Sequence, residues 1–232
     1  LDKNIIRFKM RLSLSEKTQY PEFCRLASKE DDLFADFKRH PIYNMVLEHT
    51  SEEQGKEYLK LIESDGEVLS LLDVFKTNDS VGNPVKYDYP GFGLISPTTL
   101  RYMKVLKDLR ELFGDLSKMR FCEVGSGYGG QCKIILDMYP NTLNYQLIDI
   151  DSALSLTEKF LSTIGVNKGL VSARRREEVK KEDFELFISN YAFSELPRDL
   201  QESYLETSIL TSKRGYITHN EINPPEFRSF TS

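Results

Sequence analysis

Between Phe121 and Gln131 the chain reads Phe-Cys-Glu-Val-Gly-Ser-Gly-Tyr-Gly-Gly-Gln, an apolar run that passes through an acid into a cluster of glycines. Glycine lets a backbone turn sharply and come close to a ligand with no Cβ in the way, and N–H groups at the start of a following helix then face that ligand. The spacing Gly125-x-Gly127-x-x-Gly130 also fits a dinucleotide-binding fingerprint, so the glycines alone leave the ligand open. Two acids narrow it. Glu123 stands two residues before Gly125, at a strand end where dinucleotide-binding sequences usually carry an apolar residue. An acid there suits a ligand with an amine, hydroxyls or a positive charge, which points to a sulfonium cofactor. Asp149 ends the next apolar run, where a carboxylate can accept both ribose hydroxyls. The alternative for Asp149 is a plain turn, Asp149-Ile150-Asp151-Ser152, in which Asp151 or Ser152 caps the next helix.

Ligands of open α/β sheets lie beyond the carboxyl ends of the strands, which selects Asn190 to Glu195 and His219 to Glu221 as the neighbourhood of a general base. His219 titrates near neutrality when unperturbed and follows an apolar run; Glu195 is the second base candidate. Local hydrogen bonding or capping is the competing role for both. His40 and His49, at isolated positions, read as surface residues. Cys24, Cys122 and Cys132 form no CxxC pair, which argues against a disulfide framework and a structural zinc site, so Cys122 and Cys132 read as packing residues. No spacing demands a metal.

These residues need elements to hold them. Up to about Pro90 the pattern is helical, with little that reads as strand. Thr50 or Ser51 caps a helix of about 51–64 whose apolar stripe is Tyr58, Leu59, Leu61 and Ile62. Turn formers crowd 77–84 and Tyr89-Pro-Gly-Phe-Gly93, and the junction between a helical region, 1–95, and a ligand-binding domain, 96–232, is placed there. Ser96-Pro97 starts a helix that Gly114 stops, with Leu100, Met103, Leu106, Leu109 and Phe113 on its core face. From Arg120 short apolar runs alternate with helical segments: Phe121 to Val124, Tyr145 to Ile150, Leu186 to Ser189, Tyr216 to Thr218, and a weaker run at Gly169 to Ser172. Arg174 to Lys181 is charge-dense and reads as solvated helix or loop. Buried strands separated by helices make βαβ units, so the fold class is α/β with a mostly parallel sheet covered on both faces.

Bulk properties exclude other classes. The 232 residues, 40% hydrophobic with 14 Phe and 12 Tyr but no Trp, suit a globular chain, and no apolar run approaches the roughly 20 residues of a bilayer span. A net charge of -5 offers no bulk attraction to nucleic acid, which favours a small-molecule or glycan partner. The sequence starts at Leu1 with no basic stretch ahead of an apolar one, and with its unpaired cysteines the expected setting is cytoplasmic.

Glu123-Val-Gly-Ser-Gly-Tyr-Gly-Gly-Gln131, Ser189-Asn-Tyr-Ala-Phe-Ser-Glu-Leu196 and Ser96-Pro-Thr-Thr-Leu-Arg-Tyr102 together resemble the bacterial sugar O-methyltransferases, a branch of the class I S-adenosylmethionine-dependent enzymes. The first motif is widespread among methyltransferases; the Ser189 run is more particular. The resemblance covers most of the chain and implies a Rossmann-like methyltransferase sheet with S-adenosyl-L-methionine as cofactor. It implies that Glu123, Gly125, Gly127 and Gly129 hold the methionine part, with Ser126 and Gln131 in the same turn. Asp149 would hold ribose, and Asn190 with Tyr191 would line the transfer site. The amino-terminal helices become a lid or homodimer surface, from whose junction helix Arg101 and Tyr102 enter the cofactor or acceptor pocket. The class carries a strand hairpin after its fifth strand, whereas this sequence ends soon after Thr218, so a shorter sheet or missing C-terminal strands are expected. Two other functions fit the glycines: an NAD-linked sugar oxidoreductase or epimerase, and a catalytically silent subunit that keeps the fold.

Overall fold

A computed structural model describes residues 12–230; the parts of the expected helical and ligand-binding regions at 1–11 and 231–232 lie outside the described residues. The helical region comprises α1 (Tyr20–Ala27), α2 (Asp31–Ala35), α3 (Pro41–Tyr43), α4 (Glu52–Ile62), α5 (Gly66–Ser70) and α6 (Leu72–Lys76). A hairpin, β1 (Tyr87–Tyr89) with β2 (Gly93–Ile95), leads into α7 (Pro97–Phe113). There follow β3 (Arg120–Val124), α8 (Gly130–Met138), β4 (Asn144–Asp149), α9 (Asp151–Thr163), β5 (Val171–Arg175), β6 (Leu186–Asn190), α10 (Arg198–Tyr204) and β7 (Gly215–Thr218). Strands β3 to β7 form one sheet in the order β5-β4-β3-β6-β7, parallel at every pairing, which is the expected α/β architecture of Rossmann-like type.

Period-two alternation divides the sheet between two cores. Phe121, Tyr145, Leu147, Leu186 and Ile188 face one side, where they join α7, α8, α9 and the amino-terminal helices in a continuous apolar cluster. Cys122, Val124, Ile148 and Phe187 face the other, against Phe193 and Tyr204. The amino-terminal helices therefore share a core with the sheet: α1 packs on α9 and α4 on α7. Among the described residues no helix is long and apolar enough to cross a membrane.

Local signals explain the element ends. Ser51 Oγ accepts from Gln54 N while Gln54 Oε1 accepts from Ser51 N, the reciprocal box expected at the start of α4. Ser96 Oγ accepts from Thr99 N, Pro97 opens α7, and Gly114 ends it with φ 75°. Buried Asp79 strengthens that start by accepting from Ser96 N at 2.7 Å, Ser96 Oγ at 2.8 Å and Thr99 Oγ1 at 2.7 Å.

Four expectations are corrected. The turn cluster at Tyr89 to Gly93 closes a hairpin rather than merely linking two regions, because Tyr89 is buried and donating Phe92 N bonds back to its carbonyl. The weaker run expected at Gly169 to Ser172 lies two residues further on, and Arg174 and Arg175 belong to β5 rather than to a helix or loop; as an edge strand, β5 lets their charged heads reach Glu182 and Asp151. Neither Asp151 nor Ser152 caps α9, whose N-cap is Ile150 without a side-chain bond. His40 is half-buried rather than on the surface, stacked 4.2 Å from Phe23.

Candidate functional site

The glycine turn leaves β3 at Val124 and enters α8 at Gly130. Two of its glycines are required by close approach. At Gly125, φ 79°, a Cβ would lie 2.0 Å from Ala192 Cβ; at Gly127, φ 56°, it would lie 2.8 Å from Leu47 Cδ1. Tyr128, between the glycines, is fully buried and anchors the turn from below: Asn78 Nδ2 donates to its hydroxyl at 3.0 Å and the Lys38 ammonium sits 4.1 Å from its ring centre. Thr157 Oγ1 of α9 donates to Gly127 O at 2.6 Å, tying the turn to the next helix.

Asp149 stands at the end of β4 and faces the turn. Its Oδ2 accepts from Gly127 N at 3.0 Å and its Oδ1 from Ile150 N at 2.8 Å. Burial pushes its carboxyl up to about 6, against the opposing pull of those backbone donors. Glu123, one strand over, is 2% exposed and accepts from Tyr145 OH at 2.9 Å. Burial raises it to about 8, against the opposing pull of the Tyr145 hydroxyl. A cavity of about 70 Å³ opens at the carboxyl ends of β3 and β4, lined by Gly125, Asp149, Ala192 and Glu195 from the sheet side and by Ser13 to Glu16 from the amino-terminal side. A second groove of about 370 Å³ adjoins it past Ile150, lined by Asp151, Ser152 and Glu177 and sharing Glu16, Ile150 and Arg176 with the first.

The Ser189 run forms the turn that leaves β6. Ser189 Oγ donates to Val124 O at 2.8 Å and accepts from Phe193 N at 2.9 Å, locking the ends of β6 and β3 together. Tyr191 has φ 68°, an uncommon conformation for a bulky residue, while its N–H donates to Thr218 O at 3.0 Å. That kink sets Ala192 directly on Gly125. Asn190 Oδ1 accepts from Thr218 Oγ1 at 3.4 Å, and its Nδ2, like Ser126 Oγ in the glycine turn, is buried without a partner.

The remaining sequence-derived residues divide. Glu195 lines the cavity at Asp149 and accepts from Asn220 Nδ2 at 2.7 Å; His219, directly after β7, does not line that cavity. Arg101 Nη2 donates to Leu47 O at 3.3 Å, its Nε is buried without a partner, and its guanidinium lies 6.0 Å from the Tyr191 ring centre. Tyr102 faces inward against Tyr128 beneath Gly130, and its carbonyl accepts from Gln131 Nε2 at 3.2 Å. Tyr102 and Gln131 thus join α7 to α8 and position the turn. Gly129 approaches Thr157 and Leu161 of α9.

The structure adds residues that the sequence did not single out. Leu47 lies in a π-helical turn, Asn44–Glu48, that roofs Gly127; single π turns recur at functional sites. Exposed His49 follows it directly. Glu16 and Arg176, paired at 2.7 Å, are 160 positions apart, and no local signal marks either.

No protein-family model matches this chain, and no curated protein does. Among solved structures it is similar to a candidate RNA methyltransferase from Pyrococcus horikoshii, with 18% identity, a TM-score of 0.43 and coverage of 56% of this chain and 62% of that one. It is similar to an O-methyltransferase family protein from Burkholderia thailandensis at 11% identity, TM-score 0.37, covering 50% of this chain and 39% of that one. It is also similar to PKMT2 from Rickettsia typhi in complex with AdoHcy at 15% identity, TM-score 0.40, covering 45% and 22%. In each case the chain spans less than two thirds of the other protein's length.

Proposed function

We propose that this chain is an S-adenosylmethionine-dependent O-methyltransferase acting on a hydroxyl of a sugar or sugar-containing acceptor. The observation that carries the reading is the placement of two carboxyl groups, buried Glu123 and half-buried Asp149, at the carboxyl ends of adjacent central strands on either side of one glycine turn. A dinucleotide would bring a pyrophosphate to that turn. The Asp149 carboxylate repels it and already holds Gly127 N, one of the donors it would use. A ligand that combines ribose hydroxyls, an ammonium and a sulfonium meets the same acids favourably. The unpartnered Ser126 Oγ and Asn190 Nδ2 offer it further polar contacts.

In this reading Asp149 holds ribose, Glu123 with Gly125, Ser126, Gly127 and Gly129 frames the methionine part, and Asn190 with Tyr191 borders the transfer site. When bound, the cofactor supplies an activated methyl group and a neutral thioether as leaving group. The chain's own task is to align an acceptor oxygen with the methyl carbon and to take the hydroxyl proton as the carbon–oxygen bond forms. Glu195 is the better placed base, since it lines the cavity and Asn220 orients it; His219 is the alternative. Arg101 and Tyr191 flank the approach from the roof and suit a hydroxylated ring. The sugar acceptor rests on the resemblance of the Ser189 to Leu196 run.

Incubation with S-adenosylmethionine labelled in its methyl group and a panel of free sugars, nucleotide sugars and glycans tests the assignment. Label recovered as an acid-stable methyl ether on a sugar is the expected product. Label on protein or RNA alone, or none despite cofactor binding, would contradict it, the latter favouring a silent subunit.

A further inference from the structure

We propose that Glu16 is a third acid of the cofactor site, binding the nucleoside together with Asp149, and that Arg176 is the positioning residue that holds it there. The inference rests on the cofactor reading above. The segment Ser13 to Glu16 lines the cavity at Asp149 across from Gly125, although it lies more than a hundred residues away in sequence. Glu16 is fixed rather than mobile: Ser13 N and Ser13 Oγ each donate to Oε2 at 2.8 Å, and Arg176 Nη1 donates to the same oxygen at 2.7 Å. Among the described residues Oε1 accepts no hydrogen bond, although the side chain is only 11% exposed. A half-used carboxylate held at a cavity wall is an acceptor waiting for donors.

Size makes the same point. A cavity of about 70 Å³ is smaller than the ~150 Å³ that holds a benzene ring, so a nucleoside must occupy the adjoining groove as well. Glu16, Ile150 and Arg176 are the residues common to both spaces. A nucleoside with its ribose at Asp149 and its base past Ile150 passes Glu16. Two carboxylates facing one ligand select donors, namely the ribose diol or the exocyclic amine, and disfavour a 5′-phosphate. Arg176 neutralises one of the two charges and aims Oε1.

Calorimetric titration with S-adenosylhomocysteine of the wild type, Glu16→Gln, Arg176→Gln and the double variant tests this. Glu16→Gln is expected to weaken binding about tenfold or more. Arg176→Gln should weaken it too, and the double variant should be no weaker than Glu16→Gln, because Arg176 acts through Glu16. Melting of the unliganded proteins separates a purely bracing role: a lowered melting temperature in Glu16→Gln with affinity within about twofold of wild type would overturn the assignment. Losses that add in the double variant would place Arg176 on the ligand itself and overturn its positioning role. Glu16→Asp, which keeps the charge and shortens its reach, carries the same comparison if the glutamine variant does not fold. A wild type that binds no S-adenosylhomocysteine overturns the cofactor reading as well, whereas a wild type that binds beside an unaffected Glu16→Gln overturns only the role of Glu16.

Discussion

Glu123 and Asp149 stand at the carboxyl ends of neighbouring, paired strands but live in different surroundings. Asp149 borders open space and is braced by two backbone donors, whereas Glu123 is sealed in the core with one tyrosine hydroxyl as partner. Over the Glu123 end, Ala192 presses on Gly125 and Leu47 on Gly127. In the proposed reading the nucleoside end, at Asp149, opens on the cavity, and the methionine end, at Glu123, lies under two apolar contacts. In that reading binding shifts the Tyr191–Ala192 turn or the 44–48 roof, and the backbone of Tyr191, already at φ 68°, is a natural place for that movement.

The largest effect expected is at the closed end. Gly127→Val places a branched side chain where a Cβ already meets Leu47 at 2.8 Å, at φ 56°, so S-adenosylhomocysteine binding by calorimetry should be abolished. Wild-type affinity in that variant would remove the turn from the site. Gly125→Ala should lower the unfolding free energy by about 1–3 kcal/mol through its contact with Ala192, and Ala192→Gly added to it should recover part of the loss in chemical denaturation. Full additivity of the two would show that the contact is absent.

The open end should respond more moderately. Asp149→Asn keeps the shape and removes the charge, and a loss of about 10- to 100-fold in cofactor affinity is expected from a hydrogen-bonding carboxylate. An equal loss in Asp151→Asn would assign ribose to the wrong acid. The two ends also differ in pH response. Both carboxyls sit above the ordinary range, Asp149 at about 6 and Glu123 at about 8, so the native state binds more protons than the unfolded chain in that window. The contribution of these two carboxyls to the stability of the unliganded protein should then be fully present below the ordinary carboxylate range and be lost as pH rises to about 8, while affinity for a cationic ligand rises over the same interval. Glu123→Gln should flatten the upper part of both profiles, measured by denaturation and by calorimetry across pH. The smallest effect on binding is expected for Glu195→Gln and His219→Ala, within about twofold for S-adenosylhomocysteine, with transfer lowered about 100-fold or more only in the variant that removes the base.

The same contrast explains what the sequence disclosed. Local signals were legible because their physics is local: the Ser51 and Ser96 caps, the stop at Gly114, the apolar runs of β3, β4 and β6, and the turn between Glu123 and Gly130. Strand β5 was displaced by two residues because an edge strand tolerates the arginines that otherwise signal a solvated segment. The β1–β2 hairpin was hidden because three-residue strands are too short for alternation to register. Leu47 over Gly127, Ala192 against Gly125 and the Glu16–Arg176 pair arise from tertiary contact alone, and nothing in their immediate sequence marks them.

Isothermal titration of the chain with S-adenosylhomocysteine tests the central claim most directly. Saturable binding at a single site, weakened in Asp149→Asn and abolished in Gly127→Val, is the expected result. No heat at millimolar ligand, together with saturable binding of NADH, would contradict it.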